Sequence, residues 1–495
     1  MKKLAGFGYH LFCILFLLFL AMVLGISFQA VKTASETWVL LLSGTVTLGS
    51  ALILLLLPDK KNRSWNPALP VMLGLLLKLL CFQFLGSKMG MKYDYLTALE
   101  SAQGIFAEKE LIYAHWAVYP RILSVFFGIF GGGYPQAVIF NLLVTALSTL
   151  LVYQVCQGAL HQPKLSFLAA MLFALWPSFN LYHLITSNEF LAILFGLLSV
   201  YLVQLATART GGLRILFSIL AGLSLGLTDF FKQFSIIFFI AAGITGLLWH
   251  YLHPLRAKSP AEGSLQKNRQ KKNAPGSSSW VSLLLCCVLL FSAGGLCKAT
   301  VFSALDRYLG APVCRSANAH FLYMGLNSTG NGEWNDEVGF DFRHLAEDYN
   351  RDYDRAAKEL YQILREDLRA HPDKLPQTLR HKLTVDWSAD RGVLDWVRAL
   401  YTGEGGLPYA DRLQALSNGF YLALFLLMAV GGIGAFRRKN PWILLLSLIV
   451  FGFALVLVLT EAQGRYQLVL FPWFAILAAN GADSARGAVL RLTRK

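Results

Sequence analysis

The sequence predicts an all-α polytopic membrane protein with about twelve transmembrane helices, and three observations predict it. Of 495 residues, 55% are hydrophobic and only 15% charged, more apolar surface than a water-soluble protein of this length can hide. The apolar residues gather into runs long enough to cross a hydrocarbon core of about 30 Å. Lysine and arginine are concentrated in the short loops on one side, the positive-inside pattern.

The first run, near residues 9–29, follows the basic start MKKLAGFGYH and is long enough to span, so it reads as a signal anchor rather than a cleaved signal peptide. A second run at 37–57 ends in PDKKNR. Together these form an N-terminal pair, residues 1–66. A third run, 68–86, leads into KYDYLTALE, an aromatic-rich amphipathic stretch within an outer loop at 87–133. Inside that loop ILSVFFGIF is too short to span and reads as interfacial or re-entrant. Further runs lie near 134–157, 165–182, 188–207, 212–228, 233–250 and 280–303. The polar Gly/Ser/Pro-containing stretch at 251–279 reads as a flexible cytoplasmic linker. A long polar segment at 304–414 is the one part large enough for an extramembrane domain. Three closing runs, 415–436, 441–460 and 466–485, fall within 415–495.

The formal charge of +15 would suit nucleic acid, but it resides in loops such as PDKKNR, ARTGGLR and FRRKN, where it orients the chain instead. Both termini and these loops then face the cytoplasm. The loops containing Asp94, His183–Glu189, Asp229–Lys232, the 304–414 segment and Glu461–Tyr466 face outward. The seven cysteines form no CxxC or Cys/His cluster, so neither a disulfide framework nor a zinc site is indicated. There is no GxxxxGK[ST], GxSxG or HExxH pattern, which argues against ATPases, α/β-hydrolases and zincins.

The outward loops hold most polar residues without a topological role: Asp94, Glu100, His115, Tyr119, Arg121, His183, Glu189, Asp229, Lys232, Glu461, Arg465 and Tyr466. Ionisable groups at such depth are costly and default to a functional reading. A carboxylate such as Asp94 suits a general base acting on a hydroxyl. Arg465, Lys232 and Arg121 suit a phosphate. Each has an ordinary reading beside this one: Asp94 as a solvated helix cap, Glu189 as a capping residue, Arg465 as an interfacial anchor, His115 and His183 as packed side chains.

Taken in order, these stretches resemble the GT-C superfamily of integral-membrane glycosyltransferases, in particular the bacterial relatives of protein O-mannosyltransferases and of the lipid A aminoarabinose transferase. The resemblance runs over residues 68–485 and rests on KYDYLTALESAQGI, AHWAVYPRIL, YPQAVIFNLL with Asn141, ALWPSFNLYHLITSNEF, GLSLGLTDFFKQF, HPDKLPQTLRHKLTVDW and EAQGRYQLVLFPW. It implies a GT-C-type bundle with juxtamembrane helices in the first outer loop and a mainly helical loop domain. It also implies inverting transfer of a sugar from a polyprenyl-phosphate donor to an acceptor hydroxyl on the outer face of the cell membrane. Asp94 would be the catalytic base. Glu189, Lys232, Arg465, Tyr466, Tyr119, His115 and Arg121 would bind substrate, with no cofactor and no essential metal. The partners implied are the lipid-linked donor, a glycan, lipid or protein acceptor, and the bilayer, but no nucleic acid. The sequence departs from the family pattern at Lys232, where Arg-Pro is usual, and in lacking an acidic neighbour of Asp94 before Glu100. A transporter or lipid flippase would show two related halves and interrupted midplane helices, and a surface-glycan ligase or polymerase would show paired arginines in the large loop. The sequence shows neither pattern clearly, its large loop being rich in mixed charges and aromatics, and both classes stand as alternatives.

Overall fold

A computed structural model describes residues 2–32, 36–57, 65–104, 113–252, 280–315, 317–339 and 341–492. Among these the chain is helical, without a strand beyond two isolated bridges. The linker expected at 251–279 lies almost wholly outside the described residues.

The membrane part opens with α1 (Lys2–Lys32), α2 (Thr37–Leu56) and α3 (Ala68–Leu85). Two further helices follow, α4 (Tyr93–Ala102) and α5 (Ala114–Phe130). Next come α6 (Tyr134–Leu160), α7 (Pro163–Ala174), α8 (Pro177–Tyr182), α9 (Glu189–Ala208), α10 (Gly211–Thr228), α11 (Ser235–Leu252) and α12 (Trp280–Leu309). The long loop contains α13 (Asn318–Leu326), α14 (Asp336–Gly339), α15 (Asp341–Asp348), α16 (Tyr353–Ala370), α17 (Lys374–Trp387) and α18 (Arg391–Leu400). The bundle closes with α19 (Ala410–Arg438), α20 (Pro441–Leu459), a 3-10 helix over Gly464–Leu470, and α21 (Phe471–Leu492).

Ten of these helices are long and apolar enough to cross a membrane, and three apolar stretches are shorter: Ala117–Phe130, Pro163–Ala174 and Ser235–Trp249. The chain is an all-α polytopic membrane protein. The run expected as one span at 165–182 is broken between α7 and α8, because Pro177 cannot continue the helix and restrains the residue before it. The freed backbone is satisfied locally: the Asn180 amide donates to the Ala174 carbonyl at 3.0 Å. Trp176 fills the break, stacked on Phe471 with ring centroids 3.7 Å apart.

The segment 304–414 is not one packing unit. Helices α13–α16 share a core of their own around Met324, Phe342, Ala356 and Leu360. By contrast Trp387, Val393, Leu394, Val397 and Leu400 of α17 and α18 belong to the main hydrophobic core with the membrane helices. Asp390, in the turn between α17 and α18, fixes this docking. It is buried and accepts hydrogen bonds from the Trp176 indole at 2.6 Å and from Ser178 and Ser417, each at 2.5 Å.

Candidate active site

The loop carrying Asp94 is clipped to the end of α18. Gly90 N–H donates to the Leu400 carbonyl and Thr402 N–H to the Lys88 carbonyl, both at 2.8 Å, with an antiparallel bridge between Met89 and Tyr401. The chain then enters α4 through Tyr93 at φ +53°. A tyrosine in the left-handed region costs on the order of 1–2 kcal/mol, and strain of this kind concentrates at functional sites. It sets Asp94 in the first turn of α4 with its carboxyl open to solvent.

One residue further, Tyr95 points inward and is buried. Its hydroxyl meets that of Tyr182 at 3.1 Å and accepts a hydrogen bond from Arg465. Its carbonyl accepts from Thr186 at 2.7 Å. The Arg465 guanidinium lies 4.4 Å from the Trp396 ring and donates from Nε to the Gln463 side chain at 2.6 Å. Arginine suits such a place because a flat, weakly hydrated cation tolerates aromatic faces better than an ammonium does.

Opposite this, Glu189 begins α9 and is buried. It pairs with Lys232 at 3.1 Å and accepts from the Ser187 hydroxyl. Lys232 lies 4.3 Å over the Tyr466 ring. The Tyr466 hydroxyl donates to buried Glu461 at 2.7 Å, whose other oxygen accepts from Gln463. Burial pushes the Glu461 carboxyl up, and the hydrogen bond from Tyr466 and the Arg465 charge pull it back.

Asp94 belongs to this cluster electrostatically. The protein around it disfavours its charged form and raises its pKa above the usual carboxylate range. Arg465 and then Lys232 lower it, and Glu189 raises it. Glu100 exerts no such influence and lies six residues on, away from the first turn of α4. Asp94, Glu189, Lys232, Arg465 and Tyr466 are therefore brought together, although the first and last of them lie more than 370 residues apart in sequence.

Other expected site residues fall elsewhere or are only partly placed. Tyr119 is fully buried near Glu189 and Tyr182, its hydroxyl without a hydrogen-bond partner among the described residues. Arg121 does not join the cations. Its guanidinium lies over the Tyr308 ring of α12 at 4.6 Å. His115 lies in the first turn of α5, but its side chain is outside the described residues. His183 is a buried structural residue, its Nδ1 paired with the Asn180 carbonyl at 2.7 Å, and Asn141 holds the same loop through the His183 and Ile185 carbonyls. Asp229 binds Ser235 N–H at the start of α11 and Lys298 of α12, both at 2.8 Å. Sequence reasoning passed over Tyr95, Tyr182, Gln463, Trp396 and Asp390. The signal for Trp396 lay in RGVLDWVRAL, whose apolar residues fall on one helical face.

Residues 115–262 match the family model described as dolichyl-phosphate-mannose-protein mannosyltransferase. No curated protein matches the chain by sequence. Among solved structures, the apo oligosaccharyltransferase of Archaeoglobus fulgidus is 14% identical, with a TM-score of 0.47, over 86% of this chain and 51% of that one. The same archaeal enzyme, AglB, in complex with an inhibitory peptide and dolichol-phosphate, is 12% identical with a TM-score of 0.38. ArnT from Cupriavidus metallidurans, bound to undecaprenyl phosphate, is 11% identical with a TM-score of 0.32 over 85% of this chain and 78% of that one. The chain spans about half the length of the archaeal structures it matches. The matched segment supplies Tyr119, Tyr182, Glu189 and Lys232 to the cluster, and flanking regions supply Asp94, Tyr95, Trp396 and Arg465.

Proposed function

We propose that this protein is a membrane glycosyltransferase that moves a sugar from a polyprenyl-phosphate-linked donor to an acceptor hydroxyl, with inversion, on the outer face of the membrane. The observation that carries the reading is an accessible carboxylate, Asp94, within the electrostatic reach of Arg465 and Lys232, in a chain with a GT-C-type segment. Donor phosphate would meet the free N–H groups of Arg465 and Lys232. Nε and one Nη1 hydrogen of Arg465 are engaged by Gln463 and Tyr95, which leaves three N–H groups for an oxyanion.

In the proposed step the acceptor hydroxyl gives its proton to Asp94 as its oxygen attacks the anomeric carbon. The bond from that carbon to the phosphate oxygen breaks on the opposite side. The leaving polyprenyl phosphate gains a charge that Arg465 and Lys232 stabilise. Glu189 holds Lys232 in place and offers an acceptor to sugar hydroxyls. The step uses no essential metal, so EDTA is expected to leave the rate unchanged. The N- and C-termini lie in the cytoplasm.

The test is transfer from a purified polyprenyl-phosphate sugar in detergent or vesicles. Asp94→Asn is expected to lower kcat on the order of 10²–10⁴-fold with the fold intact. Arg465→Ala is expected to weaken donor binding about 10–100-fold. Full transfer by Asp94→Asn would remove it from the base role, and unchanged donor affinity in Arg465→Ala would remove Arg465 from the phosphate.

A further inference from the structure

We propose that Trp396, on α18 of the long loop, is a positioning residue that holds the Arg465 guanidinium in the plane that meets the donor phosphate. This rests on the glycosyltransferase reading of the same site. Arg465 is buried, and its guanidinium lies 4.4 Å from the Trp396 ring, closer than to Tyr95 at 5.4 Å or Tyr466 at 5.8 Å. Trp396 also meets Tyr95 edge to face, at 5.4 Å and 81°. One aromatic edge therefore braces both the cation and the tyrosine that accepts its hydrogen bond.

The support for Trp396 is rigid. At one end of α18, Asp390 is locked by Trp176, Ser178 and Ser417. At the other, the Leu400 carbonyl is taken by Gly90. Between them α18 lies directly on the 3-10 helix that bears Arg465. A Cβ placed on Gly392 would stand 2.5 Å from the Gly464 Cα, so only paired glycines allow this approach. A guanidinium held against a ring samples fewer orientations than a free one, so its remaining N–H groups stay aimed for bidentate contact.

The test compares Trp396→Leu, Trp396→Phe, Arg465→Lys and the double variant Trp396→Leu/Arg465→Lys. Transfer kinetics are read with the lipid-linked donor, and direct binding with undecaprenyl phosphate. Trp396→Leu is expected to raise donor KM and the Kd for undecaprenyl phosphate about tenfold with kcat nearly unchanged. Trp396→Phe should restore most of that loss. In the Arg465→Lys background, Trp396→Leu should weaken binding by less than about twofold, since the stacked guanidinium is already gone. Wild-type KM and Kd in Trp396→Leu overturn the proposal, and so does an equal loss with and without Arg465. If Arg465→Ala itself binds undecaprenyl phosphate normally, the phosphate reading fails first, and the two failures are distinguished.

Discussion

At Asp94 the balance of partial desolvation by the surrounding protein against two cations sets how the site should respond to pH. The folded carboxyl titrates above its ordinary value of 3.8, so the base form is lost as pH falls through that raised value. The acid limb of kcat/KM should therefore lie above the pH at which a free aspartate titrates. Lys232→Gln removes a charge that favours the carboxylate and should move this limb to higher pH, and Glu189→Gln should move it lower. A pH–rate series on the three proteins checks the signs. Tyr93 gives an independent residue-scale expectation. At φ +53° a glycine fits better than a tyrosine, so Tyr93→Gly should lose little stability, within about 1 kcal/mol of the wild type, as read from thermal melts. Asp94, Glu189, Lys232, Arg465 and Tyr466 were legible in sequence because charge is conspicuous beside apolar runs. Tyr95 and Trp396 were not, since an aromatic residue in an amphipathic helix looks the same whether it packs or braces an arginine.

Between elements, the decisive contacts are those that seat α18 on the membrane bundle. Gly392→Ala should push α18 away from the Gly464 turn, loosening the Trp396–Arg465 stack. Donor KM should rise, and stability should fall by about 1–3 kcal/mol. Asp390 shows a different dependence. Burial raises its carboxyl to about 6 against three hydrogen bonds that lower it. Its unfolded counterpart titrates near 3.8, so its protonated form favours the fold, and that contribution is lost as pH rises through about 6. Melting temperature should thus fall between pH 5 and pH 8 more in the wild type than in Asp390→Asn. Asp390→Ala leaves three buried donors without an acceptor and should cost about 3 kcal/mol or more at any pH. The helix periodicity of α17 and α18 was readable, but their place in the main core was not. Their partners Trp176, Ser178 and Ser417 lie far off in sequence, or in the hydrophobic run that Pro177 interrupts.

For the molecule as a whole, hydrophobic run length gave most spans directly, because an apolar helix needs only length to cross a bilayer. It failed at 165–182, where a proline inside an apolar stretch splits one run into two helices without lowering its hydropathy. The proposed orientation has a direct check. A single cysteine at Tyr361, exposed on α16, should react with an impermeant maleimide on intact cells, and one at Ser277 should react only after lysis. The separate core of α13–α16 carries a further implication, one of modularity. Those four helices close on Met324, Phe342, Ala356 and Leu360, while α17 and α18, next in the chain, are committed to the main core. The module is thus bounded by segments anchored in the main core, and its buried apolar residues pack on one another and on Tyr113. It is tied to the residues ahead of Arg465 at two points: Glu461 N–H donates to the Phe321 carbonyl at 3.1 Å and Ala462 N–H to the Gly332 carbonyl at 2.6 Å. Away from those two points, sequence in the module can change without entering the main core.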